Sequence, residues 1–508
     1  MAKPSRTYSR QNIKAVELLA EMIRAGRIER KITTRDMATR AGVSRTLLQR
    51  IEEGDPRCAI GAVFEVAVIA GVTLFEADPD RLQTHRAALR EKLSLLPKHA
   101  RKSKRAGVLQ RGGNQLLFNY GRSYLARENA ISIYEPELPL QAGDIPLADG
   151  LSMPGCIRDA SPDAWGRRVL INRALSVKGK EAASHDLGEL TYLLESGSDR
   201  AGALDFQVSP SEYQPRSMNQ ASLADLLRSA EQVEIGIPLS PELDEALQHG
   251  TSVGGARPKA LMTSDDKKFI AKFSMSTDIY NVVKAEYVAM RLASLAGLNV
   301  SPVRMKAALG KDVLLVERFD REQQKGGWSR KAFVSALTMF ELDEMQATHA
   351  SYDTLAEIIR RRFQNPQQDL RELFGRLTFN ILCGNTDDHA RNHAAFWDGR
   401  NLRLTPAYDV CPQLRTGNEA GQGMLIEGNE NRSQLELCLK SAPQFQLTNA
   451  DARAIILRQV NTIRAHWDGI CDEANLSAAD RALFYGRQFL NPFAFYDAPQ
   501  EIRTAGQL

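Results

Sequence analysis

The sequence has few cysteines, and their spacing matches no common cysteine-based framework. Its six cysteines are scattered over 508 residues, without a C-x-x-C pair or the spacing of a zinc-ligand set. Folds stapled by disulfides and cysteine-ligated zinc domains are therefore disfavoured. Reduced thiols are typical of the cytoplasm, and we expect the protein to reside there.

Long hydrophobic runs are also missing. No stretch approaches the roughly eighteen apolar residues that span a membrane, and the N-terminus lacks the apolar core of a signal peptide. We therefore expect no membrane partner. No long internal repeat or low-complexity tract is present, yet 43% of the residues are hydrophobic. That content can fill several cores, and the length predicts about three or four domains of ordinary size.

Charge is distributed unevenly along the chain. Residues 1–105 hold 22 Lys and Arg against 12 Asp and Glu, whereas the rest holds 44 against 50. The formal net charge of +4 therefore conceals a basic N-terminal region, as expected where one end binds nucleic acid. Residues 81–105 carry nine basic residues and one acid. We interpret them as a basic linker that either touches DNA phosphates or is simply solvated.

Residues 1–80 contain two short helical patterns separated by a tight turn, in "TTRDMATRAGVSRTLLQRIEEGDP". Thr34 can cap the first helix, Gly42 allows the turn, and Ser44 can cap the second helix. Leu47, Leu48 and Ile51 then form the buried face of the second helix. The residues expected to contact bases and phosphates in a major groove are Ser44, Arg45, Thr46, Gln49 and Arg50.

This N-terminal pattern resembles the Cro/C1 or Xre helix-turn-helix family, to which HipB antitoxins belong. The resemblance implies an all-helical DNA-binding head, with the operator of the protein's own promoter as its partner. Such domains usually read two half-sites, which predicts a homodimer. A helical module that binds another protein instead of DNA is the alternative.

A second polar segment has the spacing of phosphoryl-transfer chemistry. In "CGNTDDHARNHAAFWDGRNLRLTPAYD", Asp387 precedes Asn392 by five residues, and Asp409 follows seventeen residues later. A kinase needs one carboxylate to orient the acceptor hydroxyl, plus an amide oxygen and a carboxylate to hold metal ions. A solvated loop could show the same spacing by chance. The apolar flanks, which predict a buried helix before the loop and a strand after it, favour the chemical interpretation.

Upstream residues supply candidate phosphate ligands. Gly254 and Gly255 lie in "TSVGGARPKALM", where paired glycines let backbone amides approach an anion, although a plain hairpin turn explains them equally well. The alternation of "KKFIAKFS" predicts a strand that carries Lys272 toward a pocket. Glu286 lies on the next predicted helix, where it either pairs with Lys272 or faces solvent. "DVLLVERFDR" predicts a buried strand that leads to a polar crossover.

From about residue 110 onward the chain resembles the HipA family of serine/threonine kinase toxins of toxin–antitoxin systems. The motifs that carry the resemblance are, in order, "SPDAWGRRVL", "LTYLLESGSDRAGALDF", "SVGGARPKA", "LLVERFDR", "NTDDHARNHAAF" and "LTPAYDV". The resemblance implies ATP and Mg²⁺ as cofactors and a protein as the phosphorylated substrate. Aminoacyl-tRNA synthetases are a substrate class of the family, but no residue of this sequence selects one.

The resemblance also implies a role for individual residues. The nucleotide-covering loop would be Gly254, Gly255, Ala256, Arg257, Pro258 and Lys259. Lys272 would meet the phosphates, and the backbone of Glu317, Arg318 and Phe319 would hold the adenine. The ribose-phosphate side would be lined by His389, Ala390, Arg391 and Asn392. Asp387 would be the catalytic aspartate, with Asn392 and Asp409 as magnesium ligands.

Ser252 matches the loop serine that family members autophosphorylate, a modification that expels the loop and switches the kinase off. A phosphate beside a site built for triphosphate would repel it. Arg257 and Pro258 depart from the family's polar pair, and the proline removes an amide donor. His389 and His393 are spaced like a zinc pair, but no third ligand is near. Trp165 of "SPDAWGRRVL" is expected to fill the core.

We therefore predict a multidomain protein with a helix-turn-helix head at 1–80, a basic linker at 81–105 and an α+β body. The body has two lobes: 106–320, with a β-rich first portion and the glycine-rich loop, and a mainly helical 321–508 that carries catalysis. The predicted function is a kinase toxin fused to an autoregulatory DNA-binding domain. The alternative is a transcription regulator whose kinase-like domain only senses nucleotide.

Overall fold

The computed structural model describes residues 10–72, 105–175, 187–209, 213–214, 216, 221–234, 255–325, 327–415 and 417–507. Ser252 and Gly254 lie outside these residues, as does almost all of the predicted linker. Two compact units make up the chain, one within residues 6–100 and one within 101–508. They are called the head and the body below.

The described part of the head, residues 10–72, forms four helices around one small core. Its helices are α1 (Arg10–Glu29), α2 (Thr34–Arg40), α3 (Arg45–Glu52) and α4 (Ile60–Ala70). Met37, Leu48 and Ile51 are buried in this core, and Val43 and Leu47 pack against it. The predicted buried face of α3 is therefore confirmed. Gly42 has a positive φ of 61° in the turn, a conformation that glycine adopts without strain.

The cap of α2 was predicted one residue too late. Thr33, not Thr34, has the extended backbone of a cap, and its side chain accepts a hydrogen bond from the Asp36 amide at 3.1 Å. Thr34 is already helical. Two adjacent threonines can both serve as caps, and the outcome depends on where the chain leaves α1. The predicted cap of α3 is confirmed, because Ser44 Oγ accepts from the Leu47 amide at 3.1 Å.

The first part of the body is less rich in strands than expected. Among the described residues of 105–234, the strands form one hairpin, β1 (Gly107–Gly112) with β2 (Gln115–Tyr120). Short helices fill the rest: α5 (Arg122–Leu125), α6 (Gly155–Arg158), α7 (Ala164–Leu175), α8 (Glu189–Glu195) and α9 (Leu223–Glu234).

A four-stranded antiparallel sheet follows. Its strands are β3 (Lys259–Ser264), β4 (Lys267–Phe273), β5 (Val303–Ala308) and β6 (Lys311–Glu317), in the order β3-β4-β6-β5. Helix α10 (Val282–Leu295) lies between β4 and β5 in the chain and packs on one face of the sheet. Gly297 terminates it with a φ of 88°.

Alternation along β4 and β6 sorts side chains between two cores. Phe269 and Phe273 join Val313 and Leu315 on the face that packs against α7 and α9. Leu314 and Val316 face α10 instead. Lys272 lies between Ala271 and Phe273 on the strand, so its side chain points to the α10 side. The predicted strand therefore does deliver Lys272 to the opposite face from the phenylalanines.

The C-terminal part of the body is mainly helical, with small strands near its start. A hairpin is formed by β7 (Arg321–Gln324) and β8 (Gly327–Arg330), and a three-stranded sheet has the order β11-β10-β9. These three strands are β9 (Phe333–Ser335), β10 (Ala394–Trp397) and β11 (Leu402–Leu404). The helices are α11 (Ala336–Met339), α12 (Tyr352–Arg362), α13 (Pro366–Cys383), α14 (Leu435–Ser441), α15 (Asn449–Glu473), α16 (Ala478–Phe484) and α17 (Gln500–Gly506).

A buried ionic network connects the end of β6 to the segment "SGSDRAG". Arg318 donates to both carboxylate oxygens of Asp320, at 2.9 and 2.8 Å, and Arg321 donates to Asp199 at 2.9 Å. Arg200 donates to backbone and side-chain oxygens of its own segment and is fully buried. Such charges are tolerated in the interior only because each has partners, so these two family motifs depend on one another. All six cysteines are free thiols, and no described helix is long and apolar enough to cross a membrane.

Candidate functional site

The loop that carries Asp387 begins where helix α13 ends. Gly384 closes the helix with a φ of 73°, and a side chain there would collide with the Gln488 carbonyl oxygen, 2.7 Å from an added Cβ. The chain then turns through residues 385–389 into a short 3₁₀ helix at Ala390–Asn392. Asn392 Nδ2 donates to the Asp387 carbonyl at 3.0 Å. The predicted pair is therefore joined directly, and the Oδ1 atom of Asn392 remains for a metal.

Asp409 is positioned by a backbone pairing between distant segments. The Ser301 amide donates to the Ala407 carbonyl at 2.9 Å, and the Ala407 amide donates to Asn299 at 2.7 Å. Two residues later Asp409 adopts a φ of 56°, which is rare for a residue other than glycine and costs on the order of 1 kcal/mol. The neighbouring Tyr408 hydroxyl donates to the Arg391 carbonyl at 2.7 Å, which ties this segment to the Asp387 loop.

Lys272 is held between two carboxylates. Its Nζ donates to Glu286 Oε1 at 2.5 Å and also donates to Asp409 Oδ1. Glu286 is buried on α10 and the Lys272 side chain is 11% exposed, so the alternative of a solvent-facing Glu286 is excluded. The structure thus joins Lys272 to Asp409, which lies 137 residues further along the chain.

The charges of this cluster reinforce one another. Burial alone would lower the pKa of Lys272, but the carboxylates of Asp409 and Glu286 outweigh burial and raise it. Burial would likewise raise the pKa of Asp409, but Lys272 and then Lys259 bring it below its usual range. For Glu286, burial prevails and the pKa is raised despite Lys272. Lys272 and Asp409 are therefore the firmly charged pair of the site.

Asp387 lies close enough to Asp409 for the two charges to interact. Its side chain is exposed, yet partial loss of hydration raises its pKa, and the charge of Asp409 raises it further, while His389 opposes the shift. A carboxylate with a raised pKa is a better proton acceptor than an ordinary aspartate. The three predicted residues of the phosphoryl-transfer set, Asp387, Asn392 and Asp409, therefore lie close to one another.

The described part of the glycine-rich segment lies above Lys272. Gly255 has a φ of 109°, and a side chain there would collide with Lys259 Nζ. Lys259 is buried, and burial lowers its pKa. Ala256 is exposed, and the Pro258 carbonyl accepts from the Phe273 amide at 3.0 Å. Two lysines, Lys259 and Lys272, therefore converge beneath this segment, which suits a polyphosphate.

Arg257, which departs from the polar pair of the family, forms an ion pair with Asp278. Its guanidinium donates to both carboxylate oxygens of Asp278, at 2.8 and 2.9 Å. The Asp278 carboxylate in turn accepts from the Met275 amide at 2.8 Å. Arg257 thus anchors the end of the glycine-rich segment to the turn after β4 instead of pointing toward the phosphates.

The predicted adenine-binding segment is already partly engaged. The Glu317 amide donates to the Pro302 carbonyl at 2.9 Å, and the Arg318 amide donates to Lys268 at 2.8 Å. Phe319 packs edge-on against Phe333 and Phe396. An adenine contact in this segment would consequently use its carbonyl groups or the Phe319 amide.

A groove of about 740 Å³ lies beside the same segment. Glu317, Arg318 and Phe319 contribute to its lining, but Lys272, Asp387 and Asp409 do not. This groove is therefore separate from the charged cluster. The geometry of hydrogen bonds and ion pairs, more than the size of any groove, identifies the candidate active site.

Three residues whose supporting role the sequence did not reveal hold the Asp387 loop from its buried side. Buried Asp388 accepts from the Tyr352 hydroxyl and lies 2.9 Å from His393 Nε2, while Tyr352 Oη is 3.2 Å from the same nitrogen. Burial would raise the pKa of Asp388, but His393 and Tyr352 together bring it below its usual range. His393 is thus occupied by Asp388, not paired with His389. The spacing Asp388-x₄-His393 was the available signal.

In the head, the predicted DNA-contacting residues differ in their availability. Arg45 and Thr46 are exposed at the start of α3. Gln49 is exposed too, although its side chain donates to Glu53 at 2.9 Å. Arg50 is half-buried and donates to Asp55 at 2.8 Å, a carboxylate that it shares with Arg57. Ser44 acts as the cap described above. Arg45, Thr46 and Gln49 therefore form the accessible part of this face.

Comparison with known proteins identifies the family. The model described as "HipA N-terminal domain" matches residues 100–207, and the model described as "HipA-like C-terminal domain" matches residues 251–467. Together they account for more than half of the chain. The chain therefore belongs to the HipA family.

Individual relatives are moderately similar to this chain in sequence. "Putative kinase Y4mE" of Sinorhizobium fredii is 27% identical over 331 residues, which cover 58% of this chain and 71% of that protein. "Serine/threonine-protein kinase toxin HipA" of Shewanella oneidensis is 25% identical over 183 residues, covering 31% of this chain and 42% of that protein. The relatives therefore support a HipA-like kinase family assignment.

A solved structure shares the fold. It is the Shewanella oneidensis complex of HipA, HipB and operator DNA, with a TM-score of 0.57 and 19% sequence identity. The match covers 78% of this chain and 97% of that chain. At this identity the likeness establishes the HipA fold of the body and nothing finer.

The buried network predicts a pH-dependent stability. Asp388→Asn should lower the unfolding free energy by about 2 kcal/mol at neutral pH, because it removes the charge of a fully buried hydrogen-bonded carboxylate. The folded-state pKa of Asp388 lies below the ordinary value of 3.8. The ionised carboxylate therefore stabilises the fold above that pH, and this stabilisation is lost as the pH falls below it.

Urea unfolding followed by tryptophan fluorescence measures this effect, since all four tryptophans lie in the body. Asp398→Asn is the matched control, because Asp398 is exposed and its Oδ1 only accepts backbone amides at 2.8 and 2.7 Å. The deficit of Asp388→Asn should shrink as the pH is lowered toward about 3. Equal unfolding midpoints for the two variants at neutral pH would contradict the role given to Asp388.

Proposed function

We propose that the body is an ATP- and Mg²⁺-dependent serine/threonine protein kinase that transfers the γ-phosphate to a protein substrate. The observation that carries this proposal is the ion cluster in which Lys272 contacts both Glu286 and Asp409, beside the Asp387–Asn392 pair. Phosphoryl transfer depends on positioning and on neutralising charge, which this set of groups can supply.

Each residue has a role in this proposal. Asp387, with its raised pKa, orients the acceptor hydroxyl and takes its proton. Asn392 and Asp409 offer an amide oxygen and a carboxylate, which are donors that Mg²⁺ accepts. Mg²⁺ would neutralise negative charge on the phosphates. Lys259 and Lys272 face the phosphates, and Glu286 keeps Lys272 in place on the α10 side of the sheet.

The donor set suits Mg²⁺, because the amide oxygen of Asn392 and the carboxylate of Asp409 are hard oxygen ligands. Lys272 and Asp409 neutralise each other directly. In the nucleotide complex Lys272 would exchange this contact for phosphate oxygens while retaining Glu286. Asp409, whose carboxylate accepts from Lys272, has a positive φ of 56°. Strained backbone at a cluster of charged groups is a common feature of functional sites.

We also propose that the head binds operator DNA, so that one chain combines a kinase toxin with an autoregulatory DNA-binding domain. The basic charge of residues 1–105 and the exposed Arg45, Thr46 and Gln49 support this proposal. The Shewanella oneidensis structure is a complex of a HipA with HipB and operator DNA. A homodimer would present two such heads to two half-sites. The substrate in this proposal is a separate protein, and aminoacyl-tRNA synthetases are the substrate class that the family resemblance implies.

Ser252 is proposed as the autophosphorylation site that restrains the kinase. It lies outside the described residues, three positions before Gly255. A phosphate there would carry close to two negative charges into a site whose described members include Asp387 and Asp409. Repulsion of this kind would weaken nucleotide binding.

Substitution of the phosphoryl-transfer set tests the kinase. Asp387→Asn and Asp409→Asn should each reduce transfer of labelled γ-phosphate by about 100-fold or more, because proton transfer and metal binding are lost. Asp149→Asn, at an exposed position, is the control for removing one negative charge. Transfer is measured to the chain itself and to proteins of a host extract.

Mass spectrometry of the same samples should find phosphate on Ser252 in the wild type and none in Asp387→Asn. Undiminished transfer in both Asp387→Asn and Asp409→Asn would refute the site assignment. ATP binding without any transfer by the wild type would instead support the nucleotide-sensing regulator.

The DNA-binding proposal predicts different effects for two residues of α3. Arg45→Ala should weaken operator binding about tenfold and reduce the slope of log affinity against log salt by about one, as for a lost phosphate contact. Gln49→Ala should relax base preference with little change in salt slope. Arg24→Ala, an exposed arginine of α1, is the charge-matched control. Binding is measured by fluorescence anisotropy with promoter fragments, and unchanged binding in both α3 variants would mean that the head contacts something other than DNA.

A further inference from the structure

The motif "SPDAWGRRVL" has a structural role that its sequence did not disclose. Trp165, the second residue of α7, is fully buried as expected, but it also makes two polar contacts with the glycine-rich segment. Its backbone amide donates to the Gly255 carbonyl at 3.1 Å, and its indole Nε1 donates to the Lys259 carbonyl at 3.0 Å. The start of α7 therefore fixes both ends of the described segment 255–259.

Asp163, the residue just before α7, extends this contact across the site. Its Oδ2 accepts a hydrogen bond from the Gly255 amide, and its Oδ1 accepts one from Arg391 Nη2. The partners lie 92 and 228 residues away along the chain. One carboxylate thus links the glycine-rich segment to the loop that carries Asp387 and Asn392.

Arg391 transmits this link to the phosphoryl-transfer set. It lies four residues after Asp387 and immediately before Asn392, and its carbonyl accepts from the Tyr408 hydroxyl at 2.7 Å. Its other guanidinium nitrogen, Nη1, donates to Glu344 at 2.7 Å. The Asp163 side chain is 16% exposed and that of Glu344 is 55% exposed. Asp163 is therefore the better shielded of the two partners of Arg391.

We propose that Asp163 is a positioning residue for nucleotide binding. It holds the Gly255 end of the nucleotide-covering loop above the Asp387 loop through its ion pair with Arg391. Charge-assisted hydrogen bonds in a shielded site are about twice as strong as neutral ones. This bridge can therefore set the distance between the glycine-rich segment and the Asp387 loop. The inference rests on the proposed function, because it assumes that residues 254–259 cover a nucleotide.

A double-mutant cycle tests whether Asp163 and Arg391 act on nucleotide binding through their shared ion pair or independently of each other. Asp163→Asn keeps an oxygen that can accept from the Gly255 amide but removes the charge that binds Arg391. Arg391→Gln removes the other partner. Each variant should weaken Mg²⁺-ADP binding about tenfold, and the double variant should be no weaker than either single one, because all three lack the same bridge. Binding is measured by isothermal titration calorimetry on the full chain.

Glu344→Gln is the matched control. It removes the other carboxylate of Arg391 without touching the glycine-rich segment, so ADP affinity should stay within about twofold of the wild type. In steady-state assays, Asp163→Asn should raise the KM for ATP more than it lowers kcat, since it changes loop placement and leaves Asp387 in place. Asp163→Glu should restore part of the affinity.

Hydrogen–deuterium exchange provides a readout that needs neither nucleotide nor activity. The peptide that covers residues 255–262 should exchange at least about threefold faster in Asp163→Asn than in the wild type or in Glu344→Gln. Circular dichroism confirms that each variant is folded. If Asp163→Asn does not fold, Arg391→Gln serves instead. It removes the other partner of the ion pair and should accelerate exchange at residues 255–262 in the same way.

Wild-type ADP affinity in Asp163→Asn, or independent and multiplicative effects in the double variant, would overturn the inference. Unchanged exchange at residues 255–262 would overturn it too, as would a wild type that binds no nucleotide. The kinase proposal fails in a different way: a wild type that binds ADP, shows the predicted coupling and transfers no phosphate would leave the Asp163 bridge standing while removing the catalytic assignment.

Discussion

The contact of Lys272 with Glu286 and Asp409 is the constraint on which the rest of the site depends. It joins β4, α10 and the segment after β11, so a displacement of any of them would leave a charge without its partner. Leaving Lys272 or Glu286, the buried members of this group, unpaired costs about 3–5 kcal/mol. With Lys259 included, the cluster holds two positive and two negative side chains. This formal balance explains how four ionisable groups can share one shielded place.

The surrounding structure serves to hold these groups in register. The Asn299–Ala407 backbone pairing fixes the approach to Asp409. The Asp388–His393–Tyr352 network supports the Asp387 loop from the buried side, and Gly384 allows that loop to start close to Gln488. Rigid flanks and a polar loop between them are the arrangement that favours precise placement of reacting groups.

Local features of this chain were predictable from its sequence. Alternation placed Lys272 on a strand, Glu286 was assigned to the helix that follows it, and the spacing of Asp387, Asn392 and Asp409 indicated the candidate site. Motif order identified the HipA family, which the family models confirm. What the sequence could not provide were partners across long separations. For Glu286 the sequence offered both a pairing with Lys272 and a solvent-facing side chain, and periodicity could not decide between them.

The same limit explains the other differences. Asp163 and Arg391 are 228 residues apart, and no local pattern connects them. Asp388 is adjacent to Asp387, and only the structure shows that Asp388 is buried and supports the loop while Asp387 is exposed. The observed cap of α2 is Thr33 and not the predicted Thr34, because the two adjacent threonines have the same capping chemistry. Sequence patterns therefore specified elements, and tertiary contacts assigned roles to their residues.

The most direct measurement of the central claim is a calorimetric titration of ATP into the full chain with and without Mg²⁺, for the wild type and for Lys272→Met. If Lys272 and Asp409 together receive a metal–triphosphate, the wild type binds ATP more tightly with Mg²⁺, and Lys272→Met loses at least about tenfold in affinity. ATP affinity that is the same in both proteins and indifferent to Mg²⁺ would contradict the account.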